Sequence, residues 1–230
     1  MPDRSFSARA PARALTVAVD VVLFTPRGNE LAVLLVHMPA GVATRARRAF
    51  PSDVARGEDS LNETALRIAR EALGASPSFL DQAVTLGGAR RVGEGANVTV
   101  TYFGLVPESG SPRSDSEWAP LSELSSLSGR ARETFDAALS AMRARVDQQP
   151  IAFRLLPPAF TLSELQAIYE MLLGRRLHKA SFRRSLHAAG LVEATDEWRS
   201  EGRGRPAQLF RYAPPRRRRQ RRGIRFDLLS

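Results

Sequence analysis

The residues of the first half whose types and spacing could do chemistry gather between positions 50 and 75, in the stretch FPSDVARGEDSLNETALRIAREALGA. Asp53, Asp59, Glu63 and Glu71 are carboxylates, and Arg67 stands among them. Carboxylates three and four residues apart on a helix turn to one side, and several converging could hold a hard dication such as Mg²⁺. Glu71, with Asp59 as its helper, is a poor magnesium site, because such a cation wants more oxygen ligands than these two supply. The other use of the same residues is electrostatic. Glu63, Arg67 and Glu71 sit four apart and make a ladder of surface ion pairs, each contributing about 0.2–0.5 kcal/mol. The expectation is a helix kept as scaffold, with no catalytic group, no metal and no cofactor.

The second half offers cations. Lys179, Ser181, Arg183, Arg184 and His187 lie in KASFRRSLH, and Arg203 and Arg205 lie in GRGRP. Phe182, Leu186 and Ala189 recur at helical spacing and should face a core, which leaves the first group for exposed sides. Arginine can pair bidentately with guanine or hold phosphate, while Lys179 and Ser181 near the helix start favour phosphate. An arginine-glycine loop tip suits a narrow minor groove, whose negative potential attracts inserted arginine. Ordinary readings stand beside these: a basic surface helix, and a solvated hairpin turn.

Elements must hold those residues in place. Val- and Leu-rich runs at 15–24 and 30–38, joined by TPRGN, read as a hairpin. Ser60 and Glu63 form a capping box before Leu61, Ala65, Ile68, Ala72 and Leu73, and Gly74 closes that helix. AVTLGGARRV and NVTVTYFGLVP are a second strand pair, the latter alternating Val98, Val100 and Tyr102 against Thr99, Thr101 and Phe103. EWAPLSELSSL is an entry to a helix, and 129–149 is a helix with Phe135, Ala138, Leu139, Met142 and Val146 on one stripe. Strands mixed with a few helices indicate an α+β layer structure. Further on, Thr161 and Glu164 cap a helix with Leu162, Leu165, Ile168, Tyr169 and Leu172 on its stripe. The turn GRRLHK leads to ASFRRSLHAAG, and LVEA and QLFRY flank the arginine-glycine loop. Two helices joined by so few residues are a helix-turn-helix candidate, and the hairpin is its wing.

Composition limits what these parts can be. The chain has 230 residues, 43% of them hydrophobic, enough to bury a sizeable core, and no cysteine, which excludes disulfides, thiolate metal sites and a cysteine nucleophile. The start MPDRSFSARAPARAL lacks a signal-peptide core, and no apolar run approaches the roughly 20 residues that span a bilayer. A cytoplasmic location is the expectation. Residues 1–150 hold 17 basic and 17 acidic side chains and residues 151–230 hold 17 and 7, so the net +10 falls in the last 80 residues. Such asymmetry fits two domains, the second meeting a polyanion, or a basic tail on a one-domain enzyme. The expected division is a tail at 1–14, a first domain at 15–149, a second at 150–214 and an arginine-rich tail at 215–230.

The segment at 53–74 resembles the Nudix box, Gx5Ex7REUxEExGU. Anchored on Gly74, the pattern meets Arg67, Glu71 and Gly74 outright. It meets Ile68 and Ala72 where it has glutamates, Asp53 at its first glycine and Asp59 at its first glutamate. The run from Pro150 to Leu186, with the later GRGRPAQLFRY, looks like the winged helix of Nudix-related transcriptional regulators of the NrtR type, and the two likenesses cover about residues 15–213 in the family's order. The resemblance implies a Nudix-like α/β/α sandwich with a mixed sheet, followed by a winged helix-turn-helix domain. It also implies a bacterial homodimer that represses by binding a double-stranded DNA operator of NAD-metabolism genes, and a small-molecule effector, ADP-ribose in one branch and a sugar in another. The family's PGG is PSD here and its DPRGR-like segment is GARRVGEGAN, which leaves the effector open. Arg45, Arg47, Arg48, Arg56, Arg90 and Arg91 lie in loops where an effector phosphate could be met; Arg48, Arg56, Arg90 and Arg91 are the candidates carried forward. The alternatives are a Nudix hydrolase of nucleoside diphosphate derivatives with a nucleic-acid-binding domain, and an RNA-binding accessory protein.

Overall fold

The computed structural model describes residues 16–38, 48–87, 98–127, 129–200 and 206–213. Strand β1 (Val17–Arg27) is the centre of the sheet, and it is apolar on both faces because both are covered. β2 (Glu30–His37) returns from it antiparallel, with Pro26 opposite Leu31 and Arg27 opposite Glu30. The expected five-residue turn therefore narrows to Gly28 and Asn29, with Gly28 at φ 59°. On its other side β1 runs parallel to β6 (Val98–Leu105), which in turn pairs antiparallel with β5 (Phe79–Gly87). β5 starts four residues before the expected run, and residues 88–92 of that run lie outside the described residues.

Three short strands complete the sheet where the sequence pattern indicated loop or helix. β3 (Arg48–Ala49) pairs with β2, and β4 (Ser52–Val54) pairs with the first half of β1. β7 (Ser116–Pro120) lies along β2 and stops at a proline, which has no N–H to donate; a 3-10 turn over Leu121–Ser126 follows. In runs of two to five residues neither period can declare itself, and backbone pairing with an existing edge decides.

Period two divides β1 between two helices. Val19, Val21 and Leu23 face α1 (Leu61–Leu73), packing with Ala65, Ile68, Ala69, Ala72 and Leu73. Val22 and Phe24 face α2 (Gly129–Gln148) and meet Phe135, Ala138, Met142 and Val146. The sheet is thus the middle layer of an α/β/α sandwich. Pro150 then opens a 3-10 turn over Ile151–Leu155, followed by α3 (Leu162–Leu173), α4 (Lys179–Ala189) and the hairpin β8 (Val192–Arg199) and β9 (Ala207–Tyr212). Phe160 bridges to Phe210 by two backbone hydrogen bonds, adding a single residue as a third strand position beside β9. The α2-side core continues without a break into Phe153, Leu165, Tyr169, Leu172, Phe182 and Leu186. No helix among the described residues is long and apolar enough to cross a membrane.

Candidate nucleic-acid interface

Helix α1 shows what became of the carboxylates. Ser60 accepts from the Glu63 amide, and Oε2 of Glu63 accepts from both the Ser60 amide and its hydroxyl, the reciprocal cap expected of that pair. Arg67 donates to Glu71 at 3.3 Å and to Asp53 at 2.8 Å, and Arg56 reaches Asp53 at 3.1 Å. The expected ladder is thus only half built along the helix; its other rung goes to β4. Burial raises the Asp53 carboxyl, but the Val54 amide, Arg67 and Arg56 outweigh it and hold the group below its ordinary value. The Asp53 hydrogen bond is the largest cause holding Arg67 above its ordinary value. Ile68 and Ala72 are buried against the sheet, where a carboxylate would lose its water. No three carboxylate or imidazole groups among the described residues are placed to hold a metal ion.

The opposite face of the sheet carries polar groups with less obvious employment. Register sets Ala18 beside Thr99, Asp20 beside Thr101 and Ser52 opposite Asp20, all on the face that carries α2 further along. Asp20, Thr99 and Thr101 are buried, and the two threonine hydroxyls have no partner among the described residues. Buried orphan hydroxyls cost about 1–3 kcal/mol each, so a face that keeps two of them is a candidate for receiving a polar ligand. Arg48 lies opposite His37 and pairs with Glu117 at 2.8 Å, and alternation puts these groups on that same face. Arg56 is held by Asp53, whose partner Arg67 belongs to α1, so these two effector candidates stand on opposite sides of the sheet. Arg45, Arg47, Arg90 and Arg91 lie outside the described residues. The sequence pattern had displayed the threonines as the polar phase of β6 but could not tell a buried polar phase from a wet one.

At the other end of the molecule, α3 and α4 form the two-helix unit. Thr161 and Glu164 make the second reciprocal cap, and Gly174 ends α3 in the left-handed conformation. Between the helices, Glu170 accepts from Gln166 at 2.9 Å, from the Leu177 amide at 2.9 Å and from Arg176 at 3.0 Å, and Gln166 also donates to the Leu177 carbonyl. Burial raises Glu170, yet these donors bring it below its ordinary value, so the ionised form is the one the turn is built around. Sequence reasoning missed Glu170; its only signal was a carboxylate one turn before a glycine stop. The wing is tied on by Arg199, which donates to Glu164 at 2.6 Å and to the Ala159 carbonyl.

On α4, Phe182 and Leu186 are buried as expected, whereas Ala189 is exposed because the core ends one turn earlier. Lys179, Arg184 and His187 are exposed, and His187 leans on Phe210 of the wing at 6.4 Å between ring centres. Ser181 is half-buried and within 3.3 Å of the His178 ring. Arg183 is half-buried and its Nε has no partner among the described residues. Arg203 and Arg205 lie outside the described residues, but β8 and β9 run to either side of them, β8 extending to Arg199 rather than stopping at Ala194. Near the end of β8, Trp198 is 61% exposed.

Known proteins share these features. Residues 152–212 match the NrtR DNA-binding winged helix domain family. Over 206 residues, 86% of this chain and 82% of the other, the chain is 31% identical to an ADPR responsive transcriptional repressor, NtrR, of Acinetobacter baylyi. It is similar to the crystal structure of Shewanella oneidensis NrtR complexed with a 27mer DNA, with a TM-score of 0.71 and 29% identity over 86% of this chain and 93% of that one. A MutT/nudix family protein from Enterococcus faecalis has the same fold at 18% identity, with a TM-score of 0.68 over 88% of this chain and 90% of that one.

Proposed function

The chain belongs to the NrtR family of transcriptional regulators, and from that premise we propose that it is a DNA-binding repressor whose Nudix-like half senses ADP-ribose or a related metabolite. The observation that carries this reading is α4 itself. It is a short helix on a braced turn, flanked by a wing, with Lys179 and Arg184 exposed and its apolar side sunk in the shared core. Such a helix fits a major groove, with arginine reading base edges and lysine holding phosphate. The 27mer DNA bound by the Shewanella relative supports the assignment. The effector is assigned to the face of Asp20, Thr99 and Thr101, with Arg48 at its edge, and the ADPR response of the Acinetobacter relative names the first compound to try.

The Nudix-like half acts as a sensor without hydrolysis. Ile68 and Ala72 offer no oxygen ligand, and Asp53 and Glu71 are already held by Arg67. The full chain with ADP-ribose and Mg²⁺ or Mn²⁺ should show no turnover; turnover that Glu71→Gln abolishes would overturn this. Two helix-turn-helix units on a symmetric operator give adequate affinity where one does not, so the working form is a homodimer. The decisive experiment selects duplexes from a random pool with the full chain, then titrates ADP-ribose against the winner. A palindromic site whose affinity changes with ADP-ribose is expected. Enrichment of no sequence sinks the regulator reading, and a site indifferent to ADP-ribose sinks only the effector.

A further inference from the structure

Arg143 belongs to α2, in the first half of the chain, yet its Nε donates to the carbonyl of Leu172 in the last turn of α3 at 3.4 Å. The final carbonyls of a helix lack intrahelical partners, and a cation there also meets the negative end of the helix dipole. The guanidinium lies against Gly174. A Cβ built on Gly174 would fall 2.4 Å from Nη2 and 3.2 Å from Cζ of Arg143. Gly74 and Gly190 close α1 and α4 at similar φ, +72° and +62°, and a Cβ on either meets nothing within 4 Å. At position 174, then, glycine serves two ends: it adopts φ +68° and it leaves the slot that the arginine fills.

We infer that Arg143 is a positioning residue for DNA recognition, seated in the Gly174 slot to fix the angle at which the α3–α4 turn leaves the sensing half. The inference rests on the reading of α4 as the DNA-contacting helix. Apolar packing between α2 and α3 is non-directional and lets helices slide, whereas a guanidinium held on a carbonyl defines a direction. Beside the contact a cleft of about 350 Å³ separates Asn29 of the β1–β2 turn and Glu30 at the start of β2 from Glu170 and Met171 of α3, so the halves are not packed solid there. The turn that Arg143 grips is the one braced by Glu170, and α4 begins five residues beyond Gly174.

The test uses the full chain with Arg143→Ala, Arg143→Lys, Gly174→Ala and their Ala/Ala double variant, and Gly74→Ala as the control for left-handed strain in open space. Two readouts are taken: affinity for the selected duplex against a scrambled one, and amide hydrogen exchange of the free protein. Arg143→Ala and Gly174→Ala should each weaken the selected duplex by roughly three- to tenfold and the scrambled duplex much less, with the double variant no worse than the weaker single, because both remove one contact. Arg143→Lys should fall between. Exchange should quicken from Arg175 to Gly190 in these variants and stay unchanged in α1, while Gly74→Ala alters neither readout in the second half. Additive losses, equal loss on both duplexes, or unchanged exchange at the α3–α4 turn would each overturn the proposal. Exchange needs no DNA, so it decides the role of Arg143 even if the wild-type chain selects no sequence. Should Gly174→Ala fail to fold, Arg143→Ala carries both readouts.

Discussion

Asp53 illustrates how little a residue's place in a pattern says about its use. It stands where the box has a glycine, and it serves as the anchor of Arg67 and Arg56. Its carboxyl is held below the ordinary value, so the stability it contributes is complete at neutral pH and disappears as pH falls through that lowered value. Replacing it by asparagine should lower the melting temperature at neutral pH, and the gap from wild type should close below about pH 4. A gap independent of pH would mean that shape, not charge, matters at this position. Replacing Arg67 by alanine should cost about 1 kcal/mol, since a charge-assisted pair this close to water keeps only part of its strength. The sequence displayed Arg67 and Glu71 as neighbours one turn apart, but Asp53 lies 14 residues from Arg67, and only the pairing of β4 with β1 brings it under the helix.

Elements were legible where their signals were redundant. Both capping boxes, the glycine stops at 74, 174 and 190 and the stripe of α2 could be read directly: in α1 and α3 cap, period and stop agree, and α2 is long enough for its period to suffice. The short strands could not, and neither could the brace between α3 and α4, which depends on one carboxylate reaching a backbone amide seven residues ahead. Glu170→Ala should therefore destabilise by about 1–3 kcal/mol, since it strands the Leu177 amide and Gln166, and it should also weaken DNA binding. Glu170→Gln keeps an acceptor and should recover most of the stability. Thermal melts of the two variants beside a duplex titration separate them; equal losses would mean that charge alone holds the turn. Within the wing, Arg199 is spent on Glu164, so its loss should loosen the hairpin rather than remove a phosphate contact.

For the whole molecule, the continuity of the core matters more than the line at 150. Phe153 touches Phe160, Tyr169 and Tyr212 at ring separations of 5.7, 6.4 and 4.6 Å, and it belongs to the same cluster as Val22 and Phe135 of the sandwich. Heating should give one cooperative transition with calorimetric and van't Hoff enthalpies in agreement, and Phe153→Ala should cost about 3–5 kcal/mol through that single transition. Two separated transitions, with only the later half affected, would show that the halves melt independently. Charge asymmetry fitted either two domains or a basic tail on one, because charge lies on surfaces and carries no information about whether cores merge. The parallel pairing of β1 with β6 has a consequence for biosynthesis. Val17 finds its partner in Val98, so the central strand leaves the ribosome some eighty residues before one of its two long neighbours exists. During that interval β1 has the β2 hairpin, β4 and α1 to shield it, but the face of Val22 and Phe24 stays bare, and α2, which covers it, arrives later still. Long-range closure is slow and leaves that apolar face open meanwhile, so this stage, rather than the helical second half, is the place where chaperones would be needed.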